Sequence, residues 1–222
     1  MPDLTNNLHD VQVAIARVAG MAPITLLAVS KRHPASAIRE LFAAGQHDFG
    51  ENYVQEALEK QAQLADLEVV WHFIGPIQSN KTRDIANAFA WVHSVDRNKV
   101  AERLSSQRDP QLPALNVCVQ VNLSAEDTKS GVALQEVEAL CQAINTLPNL
   151  SLRGLMAIPA ALETYEQQRA CFAPLQREFE RLKALFPSLD TLSIGMSSDF
   201  EAAIAEGSTL VRIGTALFGA RQ

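Results

Sequence analysis

The stretch Ile24-Thr25-Leu26-Leu27-Ala28-Val29-Ser30-Lys31 is ended by Arg32-His33-Pro34. Its apolar residues run without alternation and are bounded by polar residues and a proline. That is the pattern of a strand buried on both faces, as in a parallel sheet. The run closes on a lysine, a side chain rarely buried without a partner. At the carboxyl end of a core strand, a lysine sits where open and closed α/β folds put their ligands. A desolvated amine there has a lowered pKa, as an imine-forming lysine needs. The plainer reading is a lysine that marks where the strand emerges into water.

Outward from this stretch, strands and helices alternate. Before it, Leu8, Val11, Ile15 and Val18 have helical spacing, so a helix is expected over Leu4 to Ala19, ending at Gly20. After it, Pro34-Ala35-Ser36 opens a helix with an apolar face of Ile38, Leu41 and Phe42, closed by Gly45. Further strands are expected at His47 to Glu51, Val69 to Gly75, Trp91 to Val95, Leu115 to Val121, Leu152 to Ile158, Thr191 to Met196 and Leu210 to Gly214. Helices are expected from Tyr53 to Leu64, Lys81 to Phe89, Lys99 to Gln107, Leu134 to Leu147, Thr164 to Leu185 and Asp199 to Glu206. This rhythm is that of parallel βαβ units, and eight strands close into a (β/α)8 TIM-type barrel, here with an extra N-terminal helix. An open doubly wound sheet would usually carry a glycine-rich first turn, and Ser30-Lys31-Arg32-His33-Pro34 has none. No repeat or linker suggests a second domain, so residues 1–222 are read as one α/β domain.

Composition narrows the function. The chain has 222 residues, 47% hydrophobic and 20% charged, with a net charge of −6. An acidic chain without a basic face argues against nucleic acid or an acidic membrane surface as partner. Cys118, Cys141 and Cys171 lie far apart with no C-x-x-C spacing, which fits reduced core thiols rather than a disulfide frame or a zinc site. The polar start (Asp3, Thr5, Asn6, Asn7) does not resemble a signal peptide, and no apolar run reaches membrane-spanning length. A soluble cytoplasmic protein is expected.

In a barrel, Lys31 lies at the ligand-binding end. Phosphate commonly binds to the loops after strands seven and eight, at a helix N-terminus. Strand seven runs into Gly195-Met196-Ser197-Ser198-Asp199, and strand eight ends Arg212-Ile213-Gly214-Thr215-Ala216. Each offers a glycine and a hydroxyl, although ordinary helix caps use the same residues. Arg212 lies in an otherwise apolar strand and must find a partner within or at the mouth of the barrel. An imine lysine, a phosphate cradle and a buried cation together suggest pyridoxal 5'-phosphate. An arginine facing the pyridine nitrogen would keep it unprotonated and make the ring a poor electron sink.

The segments Leu27 to Lys31, Gly50 to Glu56, Trp71 to Gly75, Gln78 to Lys81, Arg153 to Met156, Gly195 to Ser197 with Asp199, and Val211 to Thr215 resemble the pyridoxal phosphate homeostasis protein family, which is similar to the N-terminal barrel of alanine racemase. The resemblance spans the chain in order. It implies Lys31 as the imine lysine, Arg212 toward the pyridine nitrogen, Ser197, Gly214 and Thr215 at the phosphate, and Asn52 beside the ring near its 3-oxygen. No metal is implied. His72 reads as a hydrogen-bonded core histidine, with a base as the alternative; His33 and His93 read as surface or structural. Asn80 and Lys81 suit either a phosphate contact or a solvated helix face, and Lys129 lies in a loop where incoming or outgoing cofactor could meet it.

Two functions compete. One is a monomeric protein that carries or buffers pyridoxal phosphate, maintaining vitamin B6 and amino-acid balance and supplying apoenzymes that accept the cofactor, without turnover of its own. The other is a pyridoxal-phosphate-dependent amino-acid racemase. Two-base racemases of this type take a tyrosine from a separate β-rich domain. Strand eight is followed by only a few residues here, and the only tyrosines are Tyr53 and Tyr165, both expected at helix starts. The binding protein is therefore the expected reading.

Overall fold

Each apolar run pairs with the next, and the last returns to the first. In the computed structural model, which describes residues 3–123 and 130–219, the strands are β1 Thr25–Val29, β2 Asp48–Glu51, β3 Val70–Phe73, β4 Trp91–Val95, β5 Leu115–Val121, β6 Leu150–Ala157, β7 Thr191–Ser193 and β8 Leu210–Ile213. They form a closed barrel in chain order, every pairing parallel. Closure is β1 on β8, with Leu27 opposite Arg212. Between strands run α2 Ala35–Ala43, α3 Val54–Gln63, α4 Thr82–Ala88, α5 Asn98–Gln107, α6 Val137–Asn145, α7 Tyr165–Lys183 and α8 Phe200–Ala205. The N-terminal helix, which precedes them as α1 Leu4–Ala19, packs on α2, α8 and a short α9, Thr215–Phe218, and so covers the β8–β1 closure.

The period of two along a strand decides what faces inward. On β8, Val211 and Ile213 join the main core between strands and helices, whereas Leu210 joins Leu27, Val29 and Ile74 in a small inner cluster. Arg212, two residues from Leu210, shares its inward face. The inner space also holds polar residues: His72, His93 and Ser193 are fully buried, as is Arg212 at 3% exposure. Branched aliphatic side chains usually fill such layers, so this polar column requires a partner for every group.

Five strands are shorter than the runs that announce them, whereas β4 and β5 match theirs and β6 begins two residues earlier, at Leu150. β7 stops at Ser193 rather than Met196, and β3 at Phe73 rather than Gly75, because the backbone leaves the ladder at the barrel mouth to form loops. Helix four opens with a 3-10 turn, Ser79–Lys81, and helix six with another, Leu134–Glu136. Thr215 is not a loop residue: it is the first residue of α9, capped by Gly214. Four residues are too few to display a helical period. Cys118 and Cys141 are buried free thiols, and burial pushes Cys141 up to about 12.

Candidate functional site

Beyond Val29 the chain turns, and this turn sets the place of Lys31. The Ser30 N–H still donates to Gly50 O (3.0 Å), and its hydroxyl donates to Glu51 Oε1 (2.6 Å). Lys60, on α3, donates to Ser30 O (2.8 Å), Glu51 Oε1 (2.6 Å) and Glu56 Oε1 (2.7 Å). Glu56 also accepts the Arg32 N–H, which holds Arg32 in a left-handed conformation (φ 65°). Ser30, Glu51 and Lys60 are all buried, and Lys31 between these anchors is half-buried. Burial raises the Glu51 carboxyl above the ordinary carboxylate range, and the charge and hydrogen bond of Lys60 pull it back. Lys60 was legible as an oddity, a lysine on the same three-residue spacing as Val54 and Ala57, but its partners were not.

Asn52 follows β2 at the mouth. The chain beyond β3 packs directly on it: a Cβ on Gly75 would lie 2.2 Å from Asn52 O, so only glycine allows the approach. The Asn52 Oδ1 atom is buried and has no hydrogen-bond partner. A buried polar atom without a partner costs free energy that a ligand donor can recover. Turning the amide over would offer its NH2 to a ligand oxygen instead.

The loop after β7 depends on Gly195, whose φ of 93° disfavours other residues and whose added Cβ would lie 2.7 Å from Ala203 Cβ. Asp199 Oδ1 accepts the Met196 N–H (2.6 Å), closing the turn and leaving Ser197 and Ser198 exposed at its tip. Thr215 is exposed at the start of α9. Both following helices are short, so anion affinity here rests on hydroxyls and local N–H groups rather than on a long helix dipole.

Arg212 closes the inner end. Its Nη1 donates to Ser193 O (2.5 Å) and Ser193 Oγ (2.8 Å), and its Nη2 to Ala157 O (2.9 Å). These three bonds leave two of a guanidinium's five N–H donors for a ligand. Burial lowers its pKa to about 10, so it stays charged at neutral pH.

Lys31, Asn52, Ser197, Arg212, Gly214 and Thr215 all line one cavity of about 390 Å3, together with Val29, Ile74, Ile158, Met196 and Ser198. Its volume lies in the range of small-molecule sites. It combines an amine on one wall, hydroxyls at the mouth, a cation at depth and an apolar lining. This set suits a flat, anionic, carbonyl-bearing molecule. The apolar members do not stand out in the sequence, since one aliphatic residue at a strand end looks like any other, whereas Ser198 does, beside Ser197 in the loop after strand seven. Asn80, Lys81, Tyr53 and Tyr165 do not line the cavity, and Lys129 lies outside the described residues. Tyr53 caps α3 and Tyr165 begins α7. His33 stacks on Phe218 with ring centroids 4.6 Å apart, and His93 is wholly buried rather than at the surface.

The model of the alanine racemase N-terminal domain family matches residues 4–222. A "Pyridoxal phosphate homeostasis protein" of Pseudomonas aeruginosa is 60% identical over 226 residues, covering 100% of this chain and 97% of its own length. A protein of the same name from Escherichia coli K12 is 52% identical over 229 residues, covering 100% and 98%. Among solved structures, PipY of Synechococcus elongatus with pyridoxal phosphate bound aligns with a TM-score of 0.85 at 39% identity, covering 98% of this chain and 100% of PipY.

Proposed function

Since the chain belongs to the pyridoxal phosphate homeostasis proteins, within the family of the alanine racemase N-terminal domain, we propose that it binds pyridoxal 5'-phosphate in the cavity at the barrel mouth and acts as a carrier or buffer of that cofactor. The observation that carries this reading is the joint lining of one cavity by Lys31, Ser197, Thr215 and the buried Arg212. The unpartnered Asn52 oxygen and the uncommitted Arg212 donors support the fit, because each needs a polar ligand atom.

When bound, the cofactor supplies an aldehyde carbon that can bond to an amine and a pyridine ring that can spread negative charge. In this reading Lys31 provides the amine, held in place by the Ser30–Glu51–Lys60 network. Ser197, Thr215 and the Gly214 backbone would hold the phosphate, and Asn52 would hold the ring at its 3-oxygen. Arg212 would hold the ring nitrogen, offering its uncommitted N–H donors there, and a nitrogen held by an arginine would make the ring a weaker electron sink. The whole chain, 1–222, serves as one cofactor-binding domain. It acts as a cytoplasmic monomer whose partners are apoenzymes that accept the cofactor. The buried free thiols agree with that compartment, and no helix among the described residues is long and apolar enough to cross a membrane.

The decisive experiment is to add pyridoxal phosphate to the purified protein, reduce with borohydride and map the modified peptide. A yellow protein with the adduct on Lys31 is expected. An adduct on another lysine, with Lys31 unmodified, would overturn the assignment. Ser197→Ala and Thr215→Ala should each weaken the affinity roughly tenfold or more, the worth of a hydrogen bond to a charged group. Unchanged affinity in both variants would mean that the phosphate binds elsewhere.

The racemase alternative predicts turnover. Neither tyrosine lines the cavity, and acid–base help is worth roughly a hundred- to ten-thousandfold in rate. Incubation with L-alanine followed by chiral chromatography should therefore show D-alanine forming at about the rate of free cofactor. Turnover on the order of 1 per second, abolished by Lys31→Ala, would reinstate the enzyme.

A further inference from the structure

Behind Arg212 an unbroken line of side chains crosses the barrel. Ser193 Oγ, the acceptor of Arg212, lies 2.9 Å from His93 Nδ1. His93 Nε2 lies 2.9 Å from His72 Nδ1, and His72 Nε2 lies 3.0 Å from Asp48 Oδ1. Asp48 and His72 line a second cavity, of about 370 Å3, at the other end of the barrel, where Asp48 is partly exposed. The line begins at a cation beside the candidate cofactor site and ends at a carboxylate on the barrel floor.

We infer that Asp48 sets the direction of every hydrogen bond in this line, and that Asp48, His72, His93 and Ser193 thereby act as positioning residues for Arg212. A carboxylate acceptor at Asp48 requires that His72 carry its proton on Nε2 and that its Nδ1 accept. His93 then holds its proton on Nε2 and donates it to His72, and its bare Nδ1 accepts the Ser193 hydroxyl proton. Ser193 Oγ therefore keeps its lone pairs for the Arg212 N–H. In the opposite polarity His72 Nε2 would face the carboxylate as a second acceptor, and the His93 Nδ1–H would compete with Arg212 for Ser193. Both imidazoles are neutral in this scheme. Burial lowers both of their pKa values, that of His93 well below the ordinary histidine value. Aligned hydrogen bonds in a low-dielectric interior reinforce one another.

The link to cofactor affinity rests on the proposed facing of Arg212 and the ring nitrogen; the polarity of the line does not. Nitrogen-15 spectra of the protein without added cofactor should show both histidines protonated on Nε2 and bare on Nδ1 at neutral pH. Asp48→Ala should move the proton to Nδ1 on at least one of them and shift the Arg212 side-chain signals. It should also weaken pyridoxal phosphate binding by roughly twofold to thirtyfold, the usual size of coupling between separated sites, with Lys31 still capturing the cofactor. Asp48→Asn, whose amide can either donate or accept, should fall between the two and serves if Asp48→Ala does not fold. A wild-type His93 protonated on Nδ1 overturns the inference, as do tautomers that change while the Arg212 signals stay still. If the wild type binds no pyridoxal phosphate, the proposed function fails, and the histidine and arginine signals still decide the line.

Discussion

Replacing Lys60 with Met is expected to destabilise the protein by roughly 3–5 kcal/mol, the cost of leaving one half of a buried ion pair without its partner. Glu51 is fully buried and keeps Lys60 2.6 Å from Oε1, while its Oε2 already has no partner. At about 2–4 °C per kcal/mol for a chain of this size, the melting temperature should fall by roughly 6–20 °C. The loss has a pH signature. Burial already raises the Glu51 carboxyl, and without Lys60 it rises further. A group whose folded pKa is raised gives stability that is present below its unfolded value and lost as pH rises through the folded one. The variant should therefore come closest to wild type in acid and fall behind steadily above the ordinary carboxylate range. Lys60→Met with Glu51→Gln should recover much of the loss, because no charge is then stranded. Thermal unfolding followed by circular dichroism across this range checks all three points. A single variant less than about 1 kcal/mol below wild type would show that the network does not hold the turn.

Lys31→Ala is expected to abolish borohydride-stable capture of pyridoxal phosphate altogether, the largest effect proposed for the cavity. The fold should remain, because Lys31 lies beyond β1 in a turn anchored by the Ser30 and Arg32 backbones, neither of which needs the lysine side chain. Weak, reversible binding should survive through Ser197, Thr215 and Arg212, and inorganic phosphate should compete with it. Mass spectrometry after reduction reads the covalent part, and a fluorescence titration the rest. An undiminished adduct on Lys81 or another lysine would place the amine elsewhere.

The strand–helix rhythm needed only local information. Runs such as Leu26 to Val29 and Leu155 to Ile158 are bounded by polar or turn residues, and burial on two faces makes such runs continuously apolar. The same local signals bring out Lys31, Ser197, Arg212, Gly214 and Thr215, because a charged, glycine or hydroxyl residue at the end of an apolar run stands out against its neighbours; Asn52 comes only from the family resemblance. What the sequence could not disclose was which of these groups meet. β7 is shorter than its run, and α9, Thr215–Phe218, is a single turn that packs against α1. Lys60 shares the spacing of buried helix positions, but nothing along the chain shows its partners until α3 lays it over Ser30, 30 positions away. His93, read as surface or structural, finds Ser193 at a separation of 100 residues, and the polar line to Arg212 exists only once the barrel closes. Apolar burial has a short period that can be read along the chain, whereas a buried polar group takes its meaning from a partner that closure alone brings within hydrogen-bond reach.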